Sequence, residues 1–70
     1  MKPVEQFAEN VRRIRAQRGL SQEALGDASG LHRTEISLLE RGAREPRLTT
    51  IVRLARALKV KPARLLEDVE

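Results

Sequence analysis

The reactive side chains of this 70-residue sequence do not assemble into a catalytic or metal-binding set. There is no cysteine and a single histidine, His32. Too few thiolates and imidazoles are present for a metal cluster. His32 has no evident carboxylate partner besides Glu35, and no glycine-rich loop is placed to cradle a phosphate. The sequence therefore points away from an enzyme, a metal or a cofactor. What it does carry is arginine: eleven of its fourteen basic residues are Arg, and the formal net charge is +4. A guanidinium meets phosphates and guanine edges through two parallel hydrogen bonds, whereas an ammonium acts as a point charge. The excess is modest, so where the arginines stand matters more than their sum. Arg33, Arg41, Arg44 and Arg47 fall in one stretch with His32, Thr34 and Ser37.

These residues need elements to hold them, and the hydrophobic periodicity supplies helices. A first helix spans about Val4 to Arg18, with Phe7, Val11 and Ile14 on one face. Pro3 suits its start, Gly19 its end, and Leu20 then turns inward. A second helix begins after Ser21, a good N-cap, with Glu23 in its first turn. Leu25 and Ala28 are expected to face the core. Gly26 in mid-helix costs about 1 kcal/mol relative to Ala, which the close approach of another helix would explain. Gly30 ends the segment and Leu31 anchors the turn. A third helix spans about Arg33 to Arg41, with Ile36, Leu39 and Glu40 inward and Arg33, Thr34, Ser37 and Leu38 outward. After Gly42 comes a polar loop with Arg44, Glu45, Pro46 and Arg47. A fourth helix spans about Leu48 to Lys59, with Leu48, Ile51, Val52, Leu54, Ala55 and Leu58 as a broad apolar stripe. Pro62 opens a short fifth helix carrying Leu65, Leu66 and Val69. The expected fold is an all-α, compact five-helix bundle forming one domain over residues 1–70.

A domain this small buries only about 60% of its unfolded surface and is marginally stable. Its core must rest on aliphatic packing, since the chain has one Phe, no Trp and no Tyr. No apolar run approaches the roughly 18 residues that a membrane span needs. Glu5 and Glu9 interrupt the N-terminal apolar residues, which argues against a signal peptide. With no cysteine, these features favour the cytoplasm.

The run from Leu20 to Gly42 meets the demands of a helix-turn-helix, with the motif at about residues 21–41. Two helices must cross closely, the turn must tolerate positive φ, and the second helix must expose its N-terminal half. Gly26, Gly30 with Leu31, and Ile36 with Leu39 fill those places. Duplex DNA is the expected partner. Residues 11–66 resemble the DNA-binding domains of the Xre, Cro and phage-repressor family, which have a lambda-repressor-like fold of five helices. The resemblance is carried by Arg15, the run Gly19 to Glu23, Gly30, Ile36, Ser37, the run Glu40 to Gly42, Pro46, Leu54, Ala55, Ala57, Leu58, Leu65 and Leu66. Short members of the family include controller proteins of restriction-modification systems and small phage or plasmid repressors.

The resemblance implies roles by position. Gln22 resembles a glutamine that bonds a DNA phosphate. His32, Arg33 and Thr34, with Ser37 and Leu38 one turn on, occupy the places of base readers. Arg41, Arg44 and Arg47 fall where the family meets phosphates. Arg15 and Glu40 match a buried ion pair between the first and third helices, and that pair is structural. Some roles stay open. His32 stands where Ser or Thr commonly caps, so it caps weakly, touches a phosphate, or does neither. Leu38 meets a thymine methyl or packs against the following loop. Glu35 is repelled by phosphates unless it accepts from cytosine N4. It is read here as a cap for the third helix, with a salt bridge to Arg33 or His32 as another option.

One such domain covers too few base pairs for specificity. A homodimer on a roughly palindromic operator is therefore expected, with Leu65, Leu66 and Val69 as its interface; the alternative is that these leucines only close the core and pairing occurs on DNA. No small-molecule ligand is evident. Arg47 and Lys61 stand where the family often has Ser or Thr caps, a loss of about 1 kcal/mol each. The function read from the sequence is DNA-binding transcriptional regulation, by repression. The rival reading is an antitoxin or protein-interaction module built on the same fold.

Overall fold

The computed structural model describes residues 1–70, and every regular element in it is helical. The helices are α1 (Pro3–Gln17), α2 (Gln22–Ser29), α3 (Arg33–Glu40), α4 (Leu48–Leu58) and α5 (Pro62–Leu65). The boundaries of α1 to α4 lie within a residue or so of expectation, whereas α5 ends at Leu65, before the Leu66 and Val69 that the sequence placed on it. Pro3 is itself the first helical residue of α1, where its missing N–H goes unneeded. Lys59 is no longer helical; it caps α4 in the left-handed region at φ 60.

The core is one aliphatic cluster. Phe7, Val11 and Ile14 come from α1, Leu25 from α2, Ile36 and Leu39 from α3, Ile51, Leu54, Ala55 and Leu58 from α4, and Leu65 from α5. Leu20, Leu31 and Val60, from the connecting segments, close its edges. The α2–α3 pair packs together, α1 and α4 back it, and α5 closes the far side against α1 and α4.

Three apolar positions differ from the periodicity. Ala28 is exposed, because the buried side of α2 is centred on Leu25, Gly26 and Ser29. Leu48 keeps the phase of the α4 stripe yet is 76% exposed, although Thr50 and Ile51 of the same first turn are buried. Leu65 is fully buried and so is withdrawn from any surface role. The short helix places it in the core and leaves Leu66 outside.

Asn10 is the buried polar residue that no motif announced. It lies on the inward side of α1, three residues after Phe7, and its Nδ2 donates to the carbonyls of Leu65 and Glu67 at 3.0 and 2.9 Å. Gln6 Nε2 donates to Asn10 Oδ1 at 3.0 Å. Asn10 thus fastens the C-terminal segment to α1 and satisfies carbonyls that the four-residue α5 leaves without helical partners.

Candidate nucleic-acid interface

The α2–α3 crossing is set by Gly26. A Cβ built there would stand 2.7 Å from the Leu31 carbonyl oxygen and 3.5 Å from the Arg33 backbone nitrogen. The close neighbour is therefore the turn and the entry to α3, rather than the flank of another helix. Gly30 makes the turn in the left-handed region at φ 75, where a side chain is strained. Ser29 is buried beside it, and its Oγ donates to the Gly26 carbonyl at 3.3 Å. A small polar residue under the turn is thereby satisfied in place.

The C-terminal end of α3 is tied to the rest of the protein through Glu40, which is 2% exposed. Arg15 Nε donates to Glu40 Oε2 at 2.6 Å and Arg15 Nη2 to Oε1 at 2.9 Å, a bidentate pair. The third arm, Nη1, donates to the Leu20 carbonyl at 2.8 Å. Gln22 Nε2 donates to Glu40 Oε1 at 3.2 Å. Arg12, which the sequence did not single out, donates through Nη1 to the Glu40 carbonyl, the last of α3. The Glu40 carboxylate thus joins α1, α2 and α3, and Arg15 extends the link to the segment before α2. Hydrogen bonds to Glu40 hold the Arg15 guanidinium above its ordinary pKa; the opposing charge adds to this, and burial works against it. The ion pair expected from the resemblance is present, and Gln22 is oriented by it.

The N-terminal end of α3 is arranged differently. His32 is the N-cap, and its Nδ1 accepts from the Thr34 backbone N–H at 3.0 Å. This corrects the reading of Glu35 as the cap. The ring of His32 already holds the Thr34 donor, and the carboxylate makes no ion pair with Arg33 or His32. Glu35 is half-buried and lies instead at the edge of a cleft toward α4.

Among the clefts along α3, two carry arginines assigned to DNA contact. One, of about 300 Å³, is lined by Gln22, His32, Arg33, Thr34, Ser37 and Arg41 and by nothing else. Every residue in that lining is one the sequence assigned to base or phosphate contact. The other, about 670 Å³, holds Arg44 and Arg47 together with Arg53, Glu35, Glu45, Thr49, Thr50 and Leu31. Arg53 was missed because it follows the loop by a full turn and a half of helix, outside the motif. Arg33, Arg44, Arg47 and Arg53 are exposed and enter neither of the two ion pairs in the chain. The first turn of α4 has no acidic residue and no side-chain cap, as Arg47 at that position implies. Leu38 stands apart: it is half-buried and lines neither cleft.

This is the architecture of a helix-turn-helix DNA-binding domain. A helix-turn-helix family model (HTH_3) matches residues 11–65. The control protein C.SmaI of Serratia marcescens is 48% identical over 60 residues, covering 86% of this chain and 71% of that protein. Control protein C.BamHI of Bacillus amyloliquefaciens is 44% identical over 62 residues, covering 87% and 76%. The crystal structure of the restriction-modification controller protein C.AhdI from Aeromonas hydrophila superposes with a TM-score of 0.87 at 40% identity, over 89% of this chain and 94% of that one. The chain belongs to the helix-turn-helix family of the Xre, Cro and C1 type, and it is a DNA-binding transcriptional regulator.

Proposed function

We infer that the protein is a cytoplasmic, homodimeric repressor that places α3 in the major groove of a roughly palindromic operator. The observation that carries this reading is the cleft of six residues, all polar or charged, at the junction of α2 and α3. Arg33 and Thr34 read base edges at the helix entry, with Ser37 one turn deeper; Leu38, outside the cleft, reaches a thymine methyl only at its margin. Gln22, Arg41, Arg44 and Arg47 hold phosphates, set the register and supply most of the sequence-independent affinity. A domain bound across a promoter obstructs polymerase; the likeness to two control proteins and a controller protein supports a regulatory role.

Dimerisation brings two copies of α3 to half-sites about one DNA turn apart. With Leu65 in the core, the apolar surface left for it is Leu66, 41% exposed, and the half-buried Val69. They line a shallow groove of about 180 Å³ with Val4, Phe7 and Ile51. Leu66→Glu is expected to leave the monomer folded and to lower both self-association and operator affinity.

The test is selection of a bound sequence from random duplex DNA, followed by anisotropy titrations of that sequence over a salt series. A recovered palindrome and a steep fall in affinity with salt support the reading. Equal binding to every sequence at physiological salt sinks it.

A further inference from the structure

The cleft between α3 and α4 is larger than the one facing the duplex, about 670 Å³ against about 300 Å³. Arg44, Arg47 and Arg53 line it, and none of them enters an ion pair. Thr49 and Thr50 bring the start of α4 to the same cleft. Arg47 is the N-cap of that helix and supplies no side-chain bond. The first N–H of α4 with a backbone partner is that of Ile51, which donates to the Arg47 carbonyl at 3.0 Å. The N–H groups of Leu48, Thr49 and Thr50 are left free at the positive end of the helix dipole, an arrangement that suits an oxyanion.

Thr50 carries a second and independent sign of a ligand. The residue is 7% exposed. No fully enclosed side-chain polar atom in the protein lacks a hydrogen-bond partner. The Thr50 hydroxyl has no partner, so it is the part of the residue that opens on the cleft. A hydroxyl taken almost wholly out of water, and used by no internal group, is costly to keep. A ligand in the cleft would satisfy it.

We propose that this cleft binds a small phosphorylated sugar or polyol, with the phosphate seated on the N-terminus of α4 between Thr50 and Arg53. The site goes beyond the DNA-binding reading and does not rest on it. The free N–H groups of α4, the Thr50 hydroxyl and the Arg53 guanidinium are donors suited to phosphate oxygens. Glu35 and Glu45 line the same cleft and are unpaired. They repel a second phosphate and accept hydrogen bonds from hydroxyl groups, which selects one phosphate on a hydroxylated body. Leu31 is the one apolar residue of the lining, and no aromatic side chain is present, so a nucleobase has nothing to stack on. The volume lies in the range of small-molecule sites, about 300–1,000 Å³. A DNA backbone reaches the exposed Arg44 and Arg47 but has no 2′-hydroxyls to give the two carboxylates. Occupation of the cleft draws Arg44 and Arg47 from operator phosphates and lowers operator affinity; this consequence alone rests on the DNA-binding reading.

The test titrates the whole chain, free of DNA, with ribose 5-phosphate, inorganic phosphate and ribose at constant ionic strength. Calorimetry reads affinity and the backbone amide resonances read location. Ribose 5-phosphate is expected to saturate with a Kd of about 0.1–1 mM, to move the Leu48, Thr49 and Thr50 amides most, and to bind more tightly than inorganic phosphate, with ribose silent. Thr50→Val keeps the shape of the side chain and breaks no internal hydrogen bond. Its melting temperature should hold while ribose 5-phosphate binds about tenfold more weakly. Arg53→Met should weaken binding by at least as much. With the selected duplex, ribose 5-phosphate should lower the operator affinity of the wild type and leave that of Thr50→Val unchanged. No saturable binding, or binding that both substitutions leave intact, overturns the proposal. Inorganic phosphate binding as tightly as ribose 5-phosphate overturns the sugar or polyol. A Thr50→Val chain that loses operator affinity, where the free ligand does not bind, makes the hydroxyl a DNA contact and overturns the proposal equally. Binding that leaves operator affinity unchanged overturns the competition with DNA.

Discussion

The two ends of α3 are built on opposite plans. At the C-terminal end, Glu40 is buried and its carboxylate and carbonyl receive donors from Arg12, Arg15 and Gln22. At the N-terminal end, Arg33 and Thr34 are exposed, and the one side-chain bond that holds the turn is the His32 cap. The first end is tied down by internal partners, and only the exposed Arg41 beyond it faces the DNA-binding cleft. The second keeps its donors free. A recognition helix needs both, because a free side chain discriminates only when its backbone is fixed relative to the duplex. Gln22 belongs to both regions: it lines the DNA-facing cleft and donates to Glu40.

Breaking the anchored end has the largest expected effect. Arg15→Met strands the buried Glu40 carboxylate with Gln22 as its remaining side-chain donor. The expected cost is about 3–5 kcal/mol, a large fraction of what a domain of this size has. Thermal melts should show the midpoint falling by roughly 4–8 °C for each kcal/mol. Glu40→Ala should also lower the midpoint, by less, because Arg15 is 20% exposed and turns toward water more easily. An unchanged melting temperature in both would show that the clamp contributes nothing.

Arg33→Ala addresses the free end. It should leave the melting temperature within experimental error and reduce discrimination at one base pair by about 1–3 kcal/mol, read from titrations against single-substitution duplexes. A loss of stability comparable to that of Arg15→Met would erase the distinction between the ends. Between the two lies Gly26→Ala. The helix gains about 1 kcal/mol of propensity, but the new methyl meets the Leu31 carbonyl at 2.7 Å, a clash of about 1–3 kcal/mol. The net effect should be a small destabilisation with a larger loss of DNA affinity, since the displaced backbone leads into α3. Arg44→Ala should weaken all duplexes about equally and lower the salt slope by about one.

The smallest effect expected is with pH. Arg15 is held above its ordinary pKa by Glu40. A raised value means that its contribution is complete below the unfolded-state pKa and is lost only as the pH rises through the folded one, in strongly alkaline solution. The Arg15 contribution to the melting temperature should therefore be flat from pH 6 to pH 9. A wild-type melting curve that declines across that range in parallel with Arg15→Met would place the dependence outside the clamp.

Much of this was legible before any coordinates. Gly26, Gly30, Ile36 and Leu39 marked the motif because a tight helix crossing tolerates few residue types. Six of the assigned contact residues do share one cleft. What was misread lies where one residue competes with another for a single partner. Glu35 and His32 both suit the first turn of α3, and both residue types accept hydrogen bonds from backbone N–H groups there. Only placement in space decides that the imidazole reaches Thr34. Leu65 and Leu66 are alike in sequence, yet the end of a four-residue helix puts one in the core and the other at 41% exposure.

The family resemblance supplied the pairing of Arg15 with Glu40; the sequence by itself determined the five helices, the turn at Gly30 and the charge around α3. These depend on local periodicity, on backbone conformations that few residues adopt, and on a spacing that fixes which faces meet. The tertiary structure alone decided that Asn10 fastens the C-terminal segment, that Arg12 binds the end of α3, that Arg53 joins the loop arginines, and that His32 caps the recognition helix. Each of these links residues far apart in sequence or chooses between equivalent neighbours. Periodicity gives the face on which a side chain lies, but not which of several acceptors within its reach it will occupy.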